Sequence, residues 1–435
     1  MSSNTIISLK NGEFDDSIRA TYCCSIDEAK LYTERFLNII DGYNKTFGAE
    51  SDFRLFSAPG RTEICGNHTD HQHGNVLCGS VNLDVISAVS LNSSNEIRIK
   101  SEGYPIDIIN INDLSINCEE YNLSISLIRG IASRFTQLGF KIGGFNAYTT
   151  SNVLKGSGLS SSAAFEVLVG NIFNSLFAEN EVSPVDIAKF GQYAENVYFG
   201  KPCGLMDQMA SAVGGVIAID FYDAEKPVVE KIDLSLNGYA LCIIDSGADH
   251  ADLTDEYGAI TGEMKSVANF FNKSYLREVH ENDFFSNLTE VRSATSDRAV
   301  LRAIHYFNEN KRVSELIDAL RDNNIEAFIK LIIESGHSSF MYLQNVFATS
   351  QPQHQAVSLA LALCEKLLKG KGAYRVHGGG FAGTVQAFVP LEMLEEFKNE
   401  IEKFIGDAMC HILSIRPVGG CEIKRNSELS YYYYG

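Results

Sequence analysis

Apolar and polar residues alternate along the chain with two different periods, and these periods predict where helices and strands lie. Near the start, residues 25–48 carry apolar side chains at the spacing of one helical face. That face contains Leu31, Phe36, Leu37, Ile40 and Tyr43. The pattern predicts a peripheral helical segment over residues 1–50.

From Phe53 onward, several segments are short and rich in β-branched residues, which is typical of strands. These segments are residues 85–91, 96–101, 106–111 and 145–154. They are followed or separated by helical patterns over residues 123–140, 162–180 and 183–200. Gly139 would end the first of these helices, and Ser183 followed by Pro184 would begin the third as N-cap and first residue.

A second series of elements begins near Asn237. A buried strand is predicted over residues 239–247, and residues 373–390 indicate a strand, a glycine turn, and a further strand or helix. Helices are predicted over residues 297–322, 325–343, 355–368 and 391–406. We therefore expect an α+β protein with a helical extension (residues 1–50) and two lobes (51–235 and 236–435), divided near residues 225–240.

The composition of the chain limits the kinds of molecule that it is expected to bind. The chain has 435 residues, of which 45% are hydrophobic, so a large core can form. Its formal net charge is -19 and its pI is near 5.0. This acidity argues against a general surface for nucleic acid or anionic membranes. It leaves an anionic small substrate open, because a local basic pocket can offset the overall field.

Cysteine usage and the start of the chain bear on the cellular compartment. The ten cysteines include no C-x-x-C pair, and the first residues turn polar too soon for a signal peptide. No apolar run approaches the ~20 residues of a membrane helix. We expect a cytoplasmic protein with reduced thiols.

The most unusual stretch is GNHTDHQHG, residues 66–74, with its three histidines and one aspartate. Imidazole and carboxylate groups are zinc ligands, so a metal site is one interpretation. The same groups, with an amide, both donate and accept hydrogen bonds. A ligand with several hydroxyl groups is therefore the other interpretation.

A glycine- and serine-rich turn, KGSGLSSSAAFEV at residues 155–167, precedes an apolar helix. Free N–H groups at a helix N-terminus bind anions, and glycines let the backbone approach a ligand closely. The segment is neither a Walker A loop nor G-x-G-x-x-G, in which Ser161 would have to be glycine. The alternative is a tight turn with a serine N-cap.

Two further segments carry candidate chemistry. Residues 193–215 contain Glu195 and then Asp207 on an apolar background. Asp207 could cap a helix, or it could be a carboxylate held in a cleft as a base. In the segment HGGGFAGTVQ, residues 377–386, successive glycines indicate a mobile turn or backbone that passes close to a ligand or another segment.

Taken together, the motifs resemble those of the galactokinases, in the GHMP small-molecule kinase superfamily. The form G-R-x-N-L-I-G-E-H-T-D-Y/H corresponds to GRTEICGNHTDH at residues 60–71. The form P-x-G-x-G-L-S-S-S-A corresponds to residues 154–163, and G-G-G-F-G-G to residues 378–383. CGLMDQMAS and HADLTDEYGAI resemble two more family segments, so the resemblance spans about residues 53–425.

The resemblance implies the two-lobed GHMP fold, with its active site in the cleft between the lobes. The first lobe would carry the sugar signature (residues 60–71) and the phosphate loop (residues 154–163), and the second lobe the glycine motif (residues 378–383). It also implies transfer of the ATP γ-phosphoryl group to the C1 hydroxyl of galactose, with ATP and Mg²⁺ as cofactors. GNHTDHQHG would then be a hexose-binding motif, with zinc as the alternative and with His71 and His73 in structural roles.

Site residues follow from the resemblance position by position. The catalytic residues would be Arg61 and Asp207. The sugar would be bound by Asn67, His68, Asp70, Gly204, Asp207 and Tyr257. The phosphates would be bound by Gly156, Ser157, Gly158, Leu159, Ser160, Ser161, Ser162 and Ala163. Mg²⁺ would be bound by Ser161 and Glu195, and Gly378, Gly379 and Gly380 would pack beside the site.

The chain departs from the family's forms at several positions. Asn67 stands where the family has Glu, near the sugar's O6, and its neutral amide would not repel a uronic acid as a carboxylate does. Galacturonate, or another modified galactose, is therefore the alternative substrate, although the sequence shows no basic partner for a uronate. The other departures are Thr62, Glu63, Leu154 and Ala382.

Partners also follow from the resemblance. We expect a sugar and ATP, no nucleic acid, no membrane, and a monomer or weak homo-oligomer. Some relatives of galactokinases bind sugar and ATP as sensors without turnover, so a sensor is a further alternative. The phosphate loop with its Ser-Ala pair, Arg61 and Asp207 are all present, which favours an enzyme.

Overall fold

The computed structural model describes residues 3–50, 52–154, 158–201, 203–247, 253–381 and 383–428. Gly156, Ser157 and Ala382 therefore lie outside the described residues, as does the tyrosine-rich tail. Within the described ranges, no helix combines the length and the apolar character needed to cross a membrane.

The described strands form two sheets. The larger sheet has eight strands, in the order β12-β1-β2-β5-β3-β4, with β6 paired to β2 and β7 to β6. The smaller sheet has four strands, in the order β11-β8-β10-β9. The strands are β1 Arg54–Cys65, β2 Asn75–Leu91, β3 Glu96–Ser101, β4 Ile106–Asn110, β5 Phe145–Ser151, β6 Val216–Asp220, β7 Val228–Ile232, β8 Tyr239–Asp245, β9 Ala373–Val376, β10 Thr384–Pro390, β11 Cys410–Leu413 and β12 Cys421–Ile423.

Helices precede, separate and cover these sheets. They are α1 Asn4–Lys10, α2 Asp15–Tyr22, α3 Ile26–Phe47, α4 Ser124–Gln137, α5 Ser161–Phe177, α6 Pro184–Tyr193, α7 Met206–Val213, α8 Thr254–Phe270, α9 Glu281–Ser286, α10 Leu288–Ala294, α11 Asp297–Arg321, α12 Ile325–Ser338, α13 Ala356–Leu368 and α14 Leu394–Ile405. The α+β prediction is confirmed, because both element types are present and the sheets are largely antiparallel.

The helical extension follows its predicted pattern with one exception. Ser25 begins α3 with a capping box to Glu28, and Phe36, Ile40 and Tyr43 are buried against the larger sheet. Leu31, which the pattern placed on the same face, is 63% exposed. The prediction that Leu31 shares the buried face is therefore wrong, because α3 directs this side chain to solvent. A single exposed leucine is ordinary on a protein surface.

Strand β1 is irregular where the sugar signature begins. Its pairing with β2 shifts register between Pro59 and Arg61 and again between Glu63 and Cys65. Such bulges re-aim side chains and are common next to active sites. The signature therefore starts on a strand in which the regular alternation of side chains between the two faces of the sheet is interrupted.

Two of the predicted helices end in a π-helical turn. The helix that begins at Pro184 becomes π-helical over Ala194–Phe199, and α12 is followed by a π-helical turn over Ser339–Leu343. Ser183 caps α6 through its side chain, as predicted. The first π-helical turn contains Glu195, and single π turns of this kind often occur at functional sites.

The end of the chain returns to the larger sheet. Strand β12 pairs antiparallel with β1, with Leu55 opposite Ile423. The second half of the chain therefore supplies both the smaller sheet and an edge strand of the larger one. The proposed division between residues 235 and 236 stays a prediction.

Candidate active site

Arg61 and Asp207 form an ion pair. Arg61 lies at the first bulge of β1, and Asp207 lies in the first turn of α7, where the helix dipole favours a carboxylate. Nε of Arg61 lies 2.7 Å from Oδ1 of Asp207. The hydroxyl of Ser160 donates a hydrogen bond to the other carboxylate oxygen. Asp207 therefore does not act as a helix cap.

This environment keeps Asp207 ionised. Burial by itself would raise the pKa of the carboxyl group, but Arg61 and the Ser160 hydrogen bond outweigh it and lower the pKa below its ordinary value. The side chain of Asp207 is still 35% exposed. The result is a charged carboxylate that is held in place by two donors and remains accessible to a ligand.

The described part of the phosphate loop lies against Arg61. Gly158 has a φ of 68°, and its carbonyl oxygen accepts a hydrogen bond from the guanidinium group. The N–H of Arg61 donates to the carbonyl of Leu159 over 3.0 Å. Gly60 is required here, because a Cβ atom would lie 2.8 Å from that carbonyl oxygen. Signature and phosphate loop are therefore joined through one arginine.

Ser160 precedes α5 but does not cap it. Its backbone is left-handed, with a φ of 57°, and its hydroxyl reaches Asp207 instead of the helix. The serine N-cap interpretation of this turn is therefore wrong. Ser161 and Ser162 lie in the first turn of α5, where Ala163 is buried. This is the helix terminus whose backbone N–H groups would suit an anion.

Glu195 belongs to a buried carboxylate group close to Asp207. Nε2 of Gln208 donates to Oε2 of Glu195 over 3.0 Å and to Oε2 of Glu166 over 2.9 Å. Burial raises the pKa of both glutamates, and their mutual repulsion adds to the effect at Glu166. Sequence reasoning missed Glu166 and Gln208; the signal was a charged residue on the apolar face of α5.

The carboxylate of Asp70 lies against Gly204. A Cβ atom at Gly204 would be only 2.4 Å from Oδ2 of Asp70, so glycine is the residue that leaves room for the carboxylate. Nε2 of His71 lies 3.7 Å from Oδ1 of the same aspartate. The structure thus brings together two predicted sugar-binding residues from distant parts of the chain.

His68 and Tyr257 both contact the glycine turn, residues 378–380. Nε2 of His68 lies 3.0 Å from the carbonyl oxygen of Gly379, and the Tyr257 hydroxyl donates to the carbonyl of Gly380 over 2.9 Å. Burial, with the neighbouring His71, lowers the pKa of His68 to about 4. The neutral ring therefore donates from Nε2 and leaves Nδ1 as an acceptor.

The glycine turn is packed tightly, as the predicted close approach requires. A Cβ atom at Gly379 would lie 2.5 Å from the Tyr257 ring, and one at Gly380 would lie 2.1 Å from the carbonyl oxygen of Asn345. The Cα of Gly158, in the phosphate loop, lies 3.7 Å from the Cβ position of Gly378. Backbone thus approaches other segments at all three glycines.

The three histidines of residues 66–74 have separate partners. The His68 and His71 rings are 5.9 Å apart between centroids, whereas His73 stacks on Tyr275 at 3.7 Å. Among the residues that the structure describes, no three His, Cys, Asp or Glu side chains are grouped so as to hold a metal ion. The geometry therefore gives the zinc interpretation no support.

Two family models match the chain. One, the GHMP kinases N terminal domain, matches residues 126–215. The other, the Galactokinase galactose-binding signature, matches residues 41–91. The chain therefore contains a GHMP kinase N-terminal domain and a galactokinase-like galactose-binding signature. The resemblance that the motifs indicate is thereby confirmed.

Solved structures share the fold of this kinase. Galactokinase from Lactococcus lactis, complexed with galactose, is 22% identical, with a TM-score of 0.77 over 89% of this chain and 99% of that chain. Mevalonate kinase from Methanococcus jannaschii is 15% identical, with a TM-score of 0.61 over 84% of this chain and 99% of that chain. At these identities the likeness shows the shared fold.

The Asn67 side chain makes its hydrogen bonds inside the protein. Its side chain is completely buried, and Nδ2 donates to the carbonyl of Gly378 over 2.6 Å and to Glu63 over 2.9 Å. Its Oδ1 accepts from Nδ2 of Asn345 over 2.7 Å. A sugar hydroxyl could bond to this side chain only by displacing one of these partners, so the role of Asn67 in sugar binding stays a prediction.

Side chains of helix α11 hydrogen-bond to the backbone of residues 66–75. Sequence reasoning missed these side chains. Nε2 of His305 lies 2.9 Å from the carbonyl oxygen of Asn67, and Oε1 of Glu309 accepts from the N–H of Gly66 over 3.2 Å. Oδ1 of Asn310 accepts from the N–H of Asn75 over 2.7 Å. The available sequence signal was a histidine and a glutamate four positions apart on one predicted helix, and the structure shows that both are fully buried.

Proposed function

We propose that this kinase transfers the γ-phosphoryl group of ATP to the C1 hydroxyl of galactose. The observation that carries the proposal is the position of Asp207, which is bound by Arg61 of the sugar signature and by Ser160 of the phosphate loop. Phosphoryl transfer depends on alignment and charge neutralisation. A carboxylate held between the predicted sugar and phosphate elements supports the first of these roles.

Each residue of this pair has a role in the proposed reaction. Asp207, kept ionised, accepts or orients the proton of the attacking hydroxyl. Arg61 holds the carboxylate and the Gly158 carbonyl together, so that sugar and phosphate sites stay in register. Asp70, His68 and Tyr257 are the proposed sugar-binding residues, and the N-terminus of α5 is the proposed phosphate site.

Ser161 and Glu195 are the proposed magnesium ligands, because both carry oxygen donors. Mg²⁺ prefers oxygen ligands and binds through one or two protein groups together with substrate phosphates. Glu195 offers a carboxylate oriented by Gln208, and Ser161 offers a hydroxyl at the helix terminus. Bound there with the nucleotide, Mg²⁺ would neutralise phosphate charge.

Galacturonate is the second candidate substrate. The argument for it is that no carboxylate stands at residue 67 to repel one at C6, which requires no contact between Asn67 and the sugar. The buried Asn67 amide has no free donor for that carboxylate, because both of its hydrogens are bonded inside the protein. Galactose is therefore the preferred candidate substrate.

The test is ADP release from Mg-ATP by the purified protein with galactose, galacturonate, N-acetylgalactosamine and glucose in parallel. Asp207→Asn preserves shape and should lower kcat by about 10²–10⁴-fold. Asp233→Asn, at an exposed position, is the matched control and should behave as wild type. Preference for galacturonate would replace the substrate, and saturable galactose and ATP binding without turnover would favour a sensor.

A further inference from the structure

The hydrogen-bonding capacity of the Asn67 side chain is fully used inside the protein. An asparagine amide has two donor hydrogens and two acceptor lone pairs. The donors go to Glu63 and to the carbonyl of Gly378, and the acceptors receive Asn345 over 2.7 Å and Ser339 over 3.3 Å. Asn67 therefore connects β1 to the glycine turn and to the π-helical turn after α12.

Glu63 is the second member of this arrangement. Its side chain is 4% exposed and pairs with Arg375, which is 0% exposed, over 2.9 Å. The same oxygen, Oε1, accepts from Asn67. Arg375 lies on β9 and also donates to the carbonyl of Ile64 over 2.7 Å. A strand of the larger sheet is thus bound to an edge strand of the smaller sheet through a buried ion pair.

The order of the two residues is reversed relative to the family's form. That form has Asn at the position of Glu63 and Glu at the position of Asn67, whereas this chain has the carboxylate first and the amide second. Two carboxylates here would repel each other, and two amides would leave the buried Arg375 charge unpaired. In this order the amide can donate to Gly378, which a carboxylate cannot do.

We infer that Glu63, Asn67 and Arg375 form one buried positioning unit, in which the carboxylate and the amide have exchanged places. Residue 67 then holds the glycine turn in position and does not read the C6 group of the sugar. The catalytic part of this inference rests on the proposed function, and the structural part does not. Sugars altered at C6 should therefore be distinguished by other residues.

A double-mutant cycle tests the unit without any turnover. Asn67→Glu places two carboxylates together, and Glu63→Asn leaves Arg375 without its charge partner. Each should lower the midpoint of thermal unfolding by several degrees. The double variant Glu63→Asn/Asn67→Glu should lose less than the sum of the two single losses, because the repulsion between two carboxylates is absent and one carboxylate is again present near Arg375. It should stay below wild type, because a carboxylate at residue 67 cannot donate to Gly378. Glu315→Asn, at an exposed position, is the control for removal of a glutamate.

Additive losses in the double variant would overturn the inference, as would an Asn67→Glu protein as stable as wild type. If Asn67→Glu does not fold, Asn67→Ala supplies the kinetic test. Its kcat/KM should fall by the same factor for galactose and for 6-deoxygalactose, because the glycine turn is displaced for both. A fall confined to galactose would show that Asn67 binds the C6 hydroxyl. Absence of turnover in wild type would contradict the proposed function. The double-mutant stability cycle would then still decide whether Glu63, Asn67 and Arg375 form one unit.

Discussion

Arg61 donates from Nε to Oδ1 of Asp207 over 2.7 Å, across 146 residues of sequence. The guanidinium group holds the pKa of this carboxyl below its ordinary value of 3.8, against the effect of burial. Because the pKa of folded Asp207 is depressed, the stability contributed by the pair is present above pH 3.8 and is lost as the pH falls through the lowered pKa.

Replacement of Arg61 by glutamine should change the pH dependence of the reaction. Without the guanidinium charge, burial raises the pKa of Asp207, so the acid limb of the kcat/KM profile should move to higher pH. We also expect kcat to fall about 10²-fold. Arg98→Gln, which removes a partly exposed arginine paired with Glu96, is the control. An unmoved acid limb would show that Arg61 does not set the charge of Asp207.

Gly204→Ala should disturb the sugar site. The new methyl group would lie 2.4 Å from the Asp70 carboxylate, which would have to turn away. Because small displacements of a substrate-positioning group are costly, kcat/KM for the sugar should fall about 10²-fold. The KM for ATP should change little, since Asp70 belongs to the sugar signature. Steady-state kinetics with each substrate varied separately checks this, and a change confined to ATP would contradict it.

Gly379→Ala should displace Tyr257. A Cβ atom would lie 2.5 Å from the tyrosine ring, and such overpacking costs about 1–3 kcal/mol in the free energy of unfolding. Gly262→Ala is a matched control on the same helix as Tyr257, because its Cβ position is open. That control should stabilise α8 by about 0.5–1 kcal/mol. Chemical denaturation measures both, and equal effects would refute the packing argument.

Glu195→Gln should weaken the response to Mg²⁺. The variant keeps the size of the side chain but removes the charge that would favour a cation, so half-maximal activity should require at least about tenfold more Mg²⁺. The exposed Glu181→Gln should leave the Mg²⁺ titration unchanged. Titration of ADP release at saturating sugar gives the comparison, and identical curves would exclude Glu195 from the metal site.

Glu309→Gln should destabilise the protein. The carboxylate is fully buried, pairs with Arg312, and accepts from the N–H of Gly66. Loss of its charge leaves a buried arginine without compensation, at a cost of about 3–5 kcal/mol. Glu315→Gln lies on the same helix in an exposed position and should change the free energy of unfolding by about 0.5 kcal/mol or less. Similar losses in both variants would contradict a bracing role for Glu309.

Local patterns predicted most helices and strands correctly. Helix α6 begins at Pro184 after the Ser183 cap, and strand β5 occupies Phe145–Ser151 within the predicted segment. Helices α7 to α10 and strands β1, β6, β7, β11 and β12 had no predicted counterpart. The three residues of β12, for example, carry too little period, and their pairing partner in β1 lies far away in sequence. Leu31 was placed on the buried face, because periodicity alone does not show how α3 is rotated against the sheet.

Residue type and spacing by themselves determined a large part of the element pattern, the α+β class and the motifs that resemble those of galactokinases. The tertiary structure alone decided which groups meet. Ser160 binds Asp207 instead of capping α5, and Asn67 binds Gly378, 311 residues away. Hydrogen bonds of this kind depend on which distant segments pack together. A buried amide has to be hydrogen-bonded, and only the packing decides which groups are close enough to bond to it. A motif therefore shows which chemistry a residue can perform, and packing shows whether its atoms remain available for it.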